Sequence, residues 1–321
     1  MHYFRGLPNF TPMKIFSFLL FLAATVAAHA VTNDICPAIF PDLRNVKYGP
    51  HDRNVLDLWQ TKSTKPAPLL IYIHGGGWRG GDKSVIPACL LTFMLEHGVS
   101  VASINYRYSD NAKLPAPVHD AARAVQFLRS KAKEWHLNKN RFAATGASAG
   151  ACTALWLAYH DDLADSKSNE PAARESSRLC AVVGVSGQTS IDPEVIGSWV
   201  GDQVMDHGMI WTAVGAKSRD ELKLQPADYR TLFQEFSPIN HVSRDDPPVM
   251  LLYPTPSPLP TSDPGTAIHH AMFGIKLKEK CNATGVTCEL RFAKEPDQAA
   301  LESCEFLLRH LSKGPNVPLR K

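Results

Sequence analysis

Hydrophobic and polar positions along the chain follow two alternating rhythms. Apolar runs of strand length recur: "NVLDLWQ" from Asn54, "PLLIYI" before His74, "VSVASIN" from Val99, "RFAATGAS" from Arg141, "CAVVGVSG" from Cys180, "PVMLLY" ending at Tyr253 and "VTCELRF" ending at Phe292. The first alternates, as an outer strand with one wet face does. Several others begin with continuous apolar runs, which suits strands covered on both faces. Between them lie helical patterns: "VIPACLLTFMLEHG", "VHDAARAVQFLRSKAKEW", "GACTALWLAYHDDLA", "HHAMFGIKLKEKCNATG" and "ALESCEFLLRHL". Gly98 and Gly285 stand where helices commonly stop. Strand–helix alternation of this kind predicts an α/β fold, a mostly parallel central sheet flanked by helices.

One stretch breaks the rhythm. From about residue 190 to 241 the pattern is irregular, and it is read as an insertion of short helices over the carboxyl edge of the sheet, where ligands bind in open α/β folds. With 44% hydrophobic and 20% charged residues over 321 positions, the composition is that of one large globular domain, residues 31–321. The formal charge of +3 is spread without a basic block, which argues against nucleic acid as a partner.

The N-terminus changes the picture of where the chain works. "MKIFSFLLFLAATVAAHA", from Met13, has a basic start, an apolar run and an Ala28-His29-Ala30 ending. That is the layout of a signal peptide over residues 1–30, so the expectation is a secreted or periplasmic chain with no stable membrane anchor. Seven cysteines leave at least one unpaired. Cys281 and Cys288, flanking "CNATGVTC", are the best candidates for a bridge; buried thiols acting as small apolar residues are the other reading. No spacing suits a metal site, and no cofactor is expected.

Two motifs carry chemistry. Gly146-Ala147-Ser148-Ala149-Gly150 is a G-x-S-x-G turn between a strand and a helix, which lifts a serine hydroxyl clear of the sheet at a helix N-terminus. "HGGGWRGGDK", His74 to Lys83, follows another apolar strand. A polyglycine turn there exposes backbone N–H groups that, with that of Ala149, form an oxyanion hole.

These motifs, together with "NYRYS" and "HDAARAVQFL" in the same order, resemble the α/β-hydrolase superfamily. The likeness is to its H-G-G-G-W esterases and lipases, the hormone-sensitive-lipase-like carboxylesterases and the acetyl and feruloyl esterases, over roughly residues 46–311. The resemblance implies Ser148 as nucleophile, Gly75, Gly76 and Ala149 as oxyanion donors, structural roles for His74 and Trp78, and a structural helix acid in Asp120. It also implies an ester substrate, a small molecule or an acylated carbohydrate.

The chain departs from that family at two places. Where the family carries its acid, after the penultimate strand, stands "YPTPSPLP"; after the last strand "AKEPDQ" contains no histidine. A relocated pair is supplied by "SDPGTAIHHAMFG": Asp263 with His269 or His270. His270 shares a helical face with Phe273, Gly274 and Leu277; His269, four before Phe273, is the other choice. Asp192 is read as a helix cap before Pro193. A neutral imidazole beside the serine would make activity rise with pH through about 6 to 7. The competing expectation is a hydrolase-fold binding protein without a working Ser-His-Asp triad.

Overall fold

The computed structural model describes residues 38–312 apart from 225, 294 and 295. The expected leader therefore lies outside the described residues. Eight strands form one sheet: β1 (Leu43–Lys47), β2 (Val55–Trp59), β3 (Ala67–Ile73), β4 (Ser100–Ile104), β5 (Leu137–Ala147), β6 (Val182–Val185), β7 (Val249–Pro254) and β8 (Cys288–Ala293). Their spatial order is β1-β2-β4-β3-β5-β6-β7-β8. Only the β1–β2 and β2–β4 pairs are antiparallel; from β4 to β8 the sheet is parallel, as the continuous apolar runs predict. β1 has no counterpart among the expected strands, because "LRNVK" is mostly polar and sits at an exposed edge.

The helices are α1 (Ala88–Glu96), α2 (Ala116–Ser130), α3 (Ala149–Tyr159), α4 (Pro193–Val200), α5 (Met209–Ala213), α6 (Arg219–Leu224), α7 (Pro226–Glu235), α8 (Pro264–Ile268), α9 (Met272–Thr284) and α10 (Pro296–Ser312). Two apolar layers bury the sheet. One packs Leu69, Ile71, Ile73 and Leu251 against α2, α3 and α9; the other packs Leu70, Val183 and Leu252 against α1 and α10. Helix α3 shows no amphipathic stripe because all of it is buried at the centre of the molecule. The irregular stretch between β6 and β7 folds as α4 to α7.

The cysteine expectation needs correction. Cys281 and Cys288 are free thiols, buried side by side, and the Tyr159 hydroxyl lies 3.6 Å from the Cys281 sulfur. They fill the interior between α9 and β8 in the manner of small apolar groups. Cys89 is disulfide-bonded.

Candidate active site

The site begins at the turn from β5 into α3. Ser148 has φ 53° and ψ −125°, a strained pair for a residue with a side chain, and its N–H donates to the Val185 carbonyl at 2.9 Å. The flanking glycines make that turn possible. A Cβ on Gly150 would stand 2.1 Å from the Ile73 carbonyl oxygen, and one on Gly146 2.5 Å from the same oxygen. Both positions are therefore closed to any side chain, and β3, β5 and α3 meet backbone to backbone behind the serine.

Beside it runs the His74–Gly77 turn. The Cβ position of Gly75 lies 3.4 Å from the Ser148 Cβ. The amides of Gly75, Gly76 and Ala149 donate to no carbonyl or side chain among the described residues. The turn is held from behind. His74 donates from Nδ1 to the Gly75 carbonyl at 2.8 Å, stacks on Tyr106 at 4.3 Å, and burial lowers its pKa to about 4. Trp78 is fully buried and donates from Nε1 to the Thr153 hydroxyl at 2.9 Å. Asp120 accepts from the backbone and guanidinium of Arg107 at 2.7 to 3.0 Å. These three residues hold structure, as expected. Lys83, the end of the glycine motif, forms a buried ion pair with Asp57 at 2.8 Å.

The imidazole on the serine belongs to His269. Its Nε2 lies 2.9 Å from the Ser148 Oγ. Its Nδ1 lies 2.8 Å from the Gly265 carbonyl oxygen. A carbonyl can only accept, so Nδ1 carries the proton and Nε2 presents a bare lone pair to the hydroxyl. Burial is the largest influence on this ring and lowers its pKa; the Gly265 hydrogen bond and the charge of Asp263 pull the other way. A neutral imidazole in this tautomer is a base ready to take the serine proton.

His269 owes its position to the end of α8, where it is the C-cap residue. The preceding turn is tied to the sheet: Gln188, just past β6, donates from Nε2 to the Ile268 carbonyl at 2.9 Å. Thr189 donates to the Phe273 carbonyl at 2.8 Å, and the Tyr253 hydroxyl donates to the Gly187 carbonyl. None of these braces is visible as a motif, because each joins segments more than sixty residues apart.

Two expectations change here. His270 is buried, but the Ser148 hydroxyl is hydrogen-bonded by His269 and not by His270. Its Nε2 donates to the Ser257 carbonyl at 3.0 Å and its Nδ1 accepts from the Met272 N–H at 3.1 Å, so both nitrogens are occupied. Asp263 does not hydrogen-bond to His269. It is exposed and caps α8, accepting from the Thr266 N–H at 2.6 Å and the Thr266 hydroxyl at 2.7 Å. The acid position in "YPTPSPLP" stays without a carboxylate; what that loop supplies is the Ser257 carbonyl that anchors His270. Asp192 caps α4 through the amides of Glu194 and Val195.

The segment leading into α5, part of the irregular stretch expected over the carboxyl edge, lies beside the site, although none of its residues is marked by a motif. Met209 Cβ lies 3.3 Å from the Cβ position of Gly77. The His207 ring stands edge-on to His269, with centroids 6.3 Å apart. Among the described residues no group of three or more His, Cys, Asp or Glu side chains could hold a metal ion, and no helix is long and apolar enough to cross a membrane.

A mostly parallel sheet with a serine on the sharp turn after its central strand and a glycine turn beside it defines an α/β-hydrolase. The family model described as BD-FAE matches residues 56–260, and the chain belongs to that family. Among curated proteins it is 26% identical over 238 residues to esterase LipC of Mycobacterium tuberculosis, covering 72% of this chain and 56% of LipC. It spans about half the length of the first curated relatives it matches. Among solved structures it resembles an acetyl ester-xyloside bifunctional hydrolase from Caldicellulosiruptor lactoaceticus, with TM-score 0.62, 22% identity, and 79% of this chain and 86% of that one covered. It also resembles a truncated carbohydrate esterase from gut microbiota, with TM-score 0.65, 18% identity, and coverage of 84% and 96%. At those identities the likeness shows the fold.

Proposed function

We propose that this chain hydrolyses carboxylic esters through an acyl-enzyme on Ser148. The observation that carries the reading is the 2.9 Å contact between the Ser148 Oγ and the bare Nε2 of His269. Ser148 attacks the acyl carbon while His269 takes its proton. The carbonyl oxygen, now an oxyanion, is received by the amides of Gly75, Gly76 and Ala149. His269 then protonates the leaving alcohol, and water reverses the sequence to free the acid. The imidazolium that forms between these steps is steadied by the Gly265 carbonyl at Nδ1 and, at longer range, by the charge of Asp263.

Family membership and the esterase names of the relatives support ester hydrolysis. The names of the two structural neighbours add acyl groups on carbohydrates as the substrate class. Export is supported by the leader-like N-terminus and fits the disulfide at Cys89. The test is covalent labelling with a fluorophosphonate probe alongside turnover of 4-nitrophenyl acetate. Wild-type protein is expected to label and turn over, and Ser148→Ala to do neither. Folded wild-type protein that does neither would overturn the reading and leave a binding protein on a hydrolase scaffold.

A further inference from the structure

Beyond Ser148 and His269, the site holds a second imidazole that the reaction does not use. His207 precedes α5, and its ring stands edge-on to that of His269 at 6.3 Å. Its charged surroundings are His269, Arg79 and Asp263. The next residues lock the segment in place: the Cβ position of Gly208 is 2.8 Å from the Arg79 Nη1, and Met209 sits against Gly77. The His207 Nδ1 is buried and has no hydrogen-bond partner among the described residues. The Nε2 of the same ring makes no hydrogen bond to protein among the described residues, and the residue as a whole is only half-buried.

Those facts fix what the ring can offer. Burial lowers its pKa, so it is neutral. A neutral imidazole carries one proton, and a buried N–H with no acceptor is a rarer and worse arrangement than a buried lone pair. The proton therefore sits on Nε2, the open side, and His207 presents a single neutral N–H donor next to the residue that protonates the leaving group. The partner such a donor wants is a neutral oxygen close to the leaving oxygen.

From this, and resting on the esterase reading above, we infer that His207 selects esters whose alcohol carries a further oxygen beside the scissile one, as polyols and sugars do. His269 returns its proton to the alcohol oxygen, so the alcohol part of the substrate lies on the histidine side of Ser148. A hydroxyl on the neighbouring carbon sits about one hydrogen-bond length from that leaving oxygen, within the span between the two rings. Arg79, half exposed and paired with Asp110 at 3.1 Å, borders the same edge and keeps it polar. An ester of a plain alkyl alcohol leaves the His207 N–H unanswered, and an unmet polar group in a site is what discriminates most strongly against a substrate lacking its partner.

The experiment compares glycerol 1-monoacetate with propyl acetate, which share the acyl group and the carbon count of the alcohol. Acid release is followed for the full chain and for His207→Phe, His207→Gln and His207→Asn. The wild type is expected to favour the monoacetate by about tenfold or more in kcat/KM, the scale of one well-placed hydrogen bond. His207→Phe is expected to cut that preference about tenfold, mainly through KM. His207→Gln, which returns an N–H near the Nε2 position, is expected to recover much of it. His207→Asn, whose amide is too short to do so, is expected to behave like His207→Phe and serves in its place if the aromatic variant does not fold. Equal preference in the wild type and in the folded variants would overturn the assignment, as would a wild type indifferent to the two esters. A wild type that hydrolyses neither ester and takes no fluorophosphonate label would overturn the esterase reading and this inference with it.

Discussion

His269 donates from Nδ1 to the backbone carbonyl of Gly265, four residues earlier in its own chain, at 2.8 Å. The partner that fixes the tautomer of the base is thus part of the one-turn helix that delivers the base. No residue from another strand end is needed, and the absence of a carboxylate in "YPTPSPLP" is consistent with a poised imidazole. A carbonyl orients the ring as a carboxylate would, but it carries only a partial charge to set against the imidazolium.

The two adjacent histidines should separate cleanly under mutation. His269→Ala removes the only imidazole hydrogen-bonded to Ser148 among the described residues, and kcat should fall by about 10^4-fold or more, as removal of a nucleophile's base does elsewhere. His270→Ala removes a link between the Ser257 carbonyl and the Met272 amide. It should lower the melting temperature and reduce kcat by less than about tenfold. Steady-state kinetics and a melting curve on each variant check this. Equal kinetic losses in the two would mean that the ring at the serine has been misassigned.

The pH profile follows from the direction of the His269 shift. Burial lowers the pKa of this ring below its ordinary value near 6.5, and only the neutral ring accepts the serine proton. In kcat/KM the acid limb should therefore rise with pH and level off at a midpoint below 6.5, leaving a plateau across neutral pH. The sequence alone suggests a rise through about 6 to 7; the enclosure of the ring moves it down. A midpoint above 7, measured on a substrate that does not itself titrate, would contradict this environment.

How much of this was legible beforehand divides along physical lines. The sheet, its central strands and the Ser148 turn could be read because they rest on local periodicity and on glycines with no alternative. Gly146 and Gly150 are tied to the Ile73 carbonyl whatever the rest of the chain does. The base could be narrowed to His269 or His270 but not chosen between them. Helical-face reasoning treats residues 269–285 as one helix, whereas α8 ends at Ile268 and α9 starts at Met272. In that break His270 turns to the Ser257 carbonyl and His269 to the serine. The stretch carrying His207 could be placed over the carboxyl edge, but the residue itself could not be picked out, since its place beside His269 rests on a contact between distant segments that leaves no local pattern.

The turn that carries Ser148 should tolerate no side chain at Gly150. In Gly150→Ala the new methyl would meet two backbone oxygens, at 2.1 Å from Ile73 and 2.6 Å from His74. Neither can rotate away, so α3 has to move off β3. A loss of roughly 3 kcal/mol or more in urea unfolding is expected, together with loss of fluorophosphonate labelling. A variant that unfolds at the wild-type urea concentration and still labels would show that the turn is looser than its contacts imply.

The lysine of the glycine motif should matter to stability and little to chemistry. Lys83 Nζ donates to the Asp57 carboxylate at 2.8 Å with both side chains only 8% exposed, and that carboxylate also accepts from the Asn45 amide at 2.7 Å. Lys83→Met strands a buried carboxylate and should cost about 3 to 5 kcal/mol. Adding Asp57→Leu should recover most of it, because the charge is then gone from both sides. Failure of the double variant to recover, judged by chemical unfolding, would assign the loss to packing rather than to the stranded charge.

Asp263 offers the sharpest contrast with a conventional triad. Removing a carboxylate that hydrogen-bonds the base costs about 10^4 in kcat in the serine protease case, because the tautomer is lost. Here Gly265 fixes the tautomer, and Asp263 acts on His269 only through its charge and through its cap on Thr266. Asp263→Asn keeps a capping oxygen and removes the charge. The charge raises the pKa of His269, so its removal should move the acid limb of kcat/KM to lower pH, while kcat on the plateau falls by less than about a hundredfold. A collapse of kcat approaching 10^4 would mean that the aspartate swings onto His269 during turnover, and that the carbonyl contact describes only the resting enzyme.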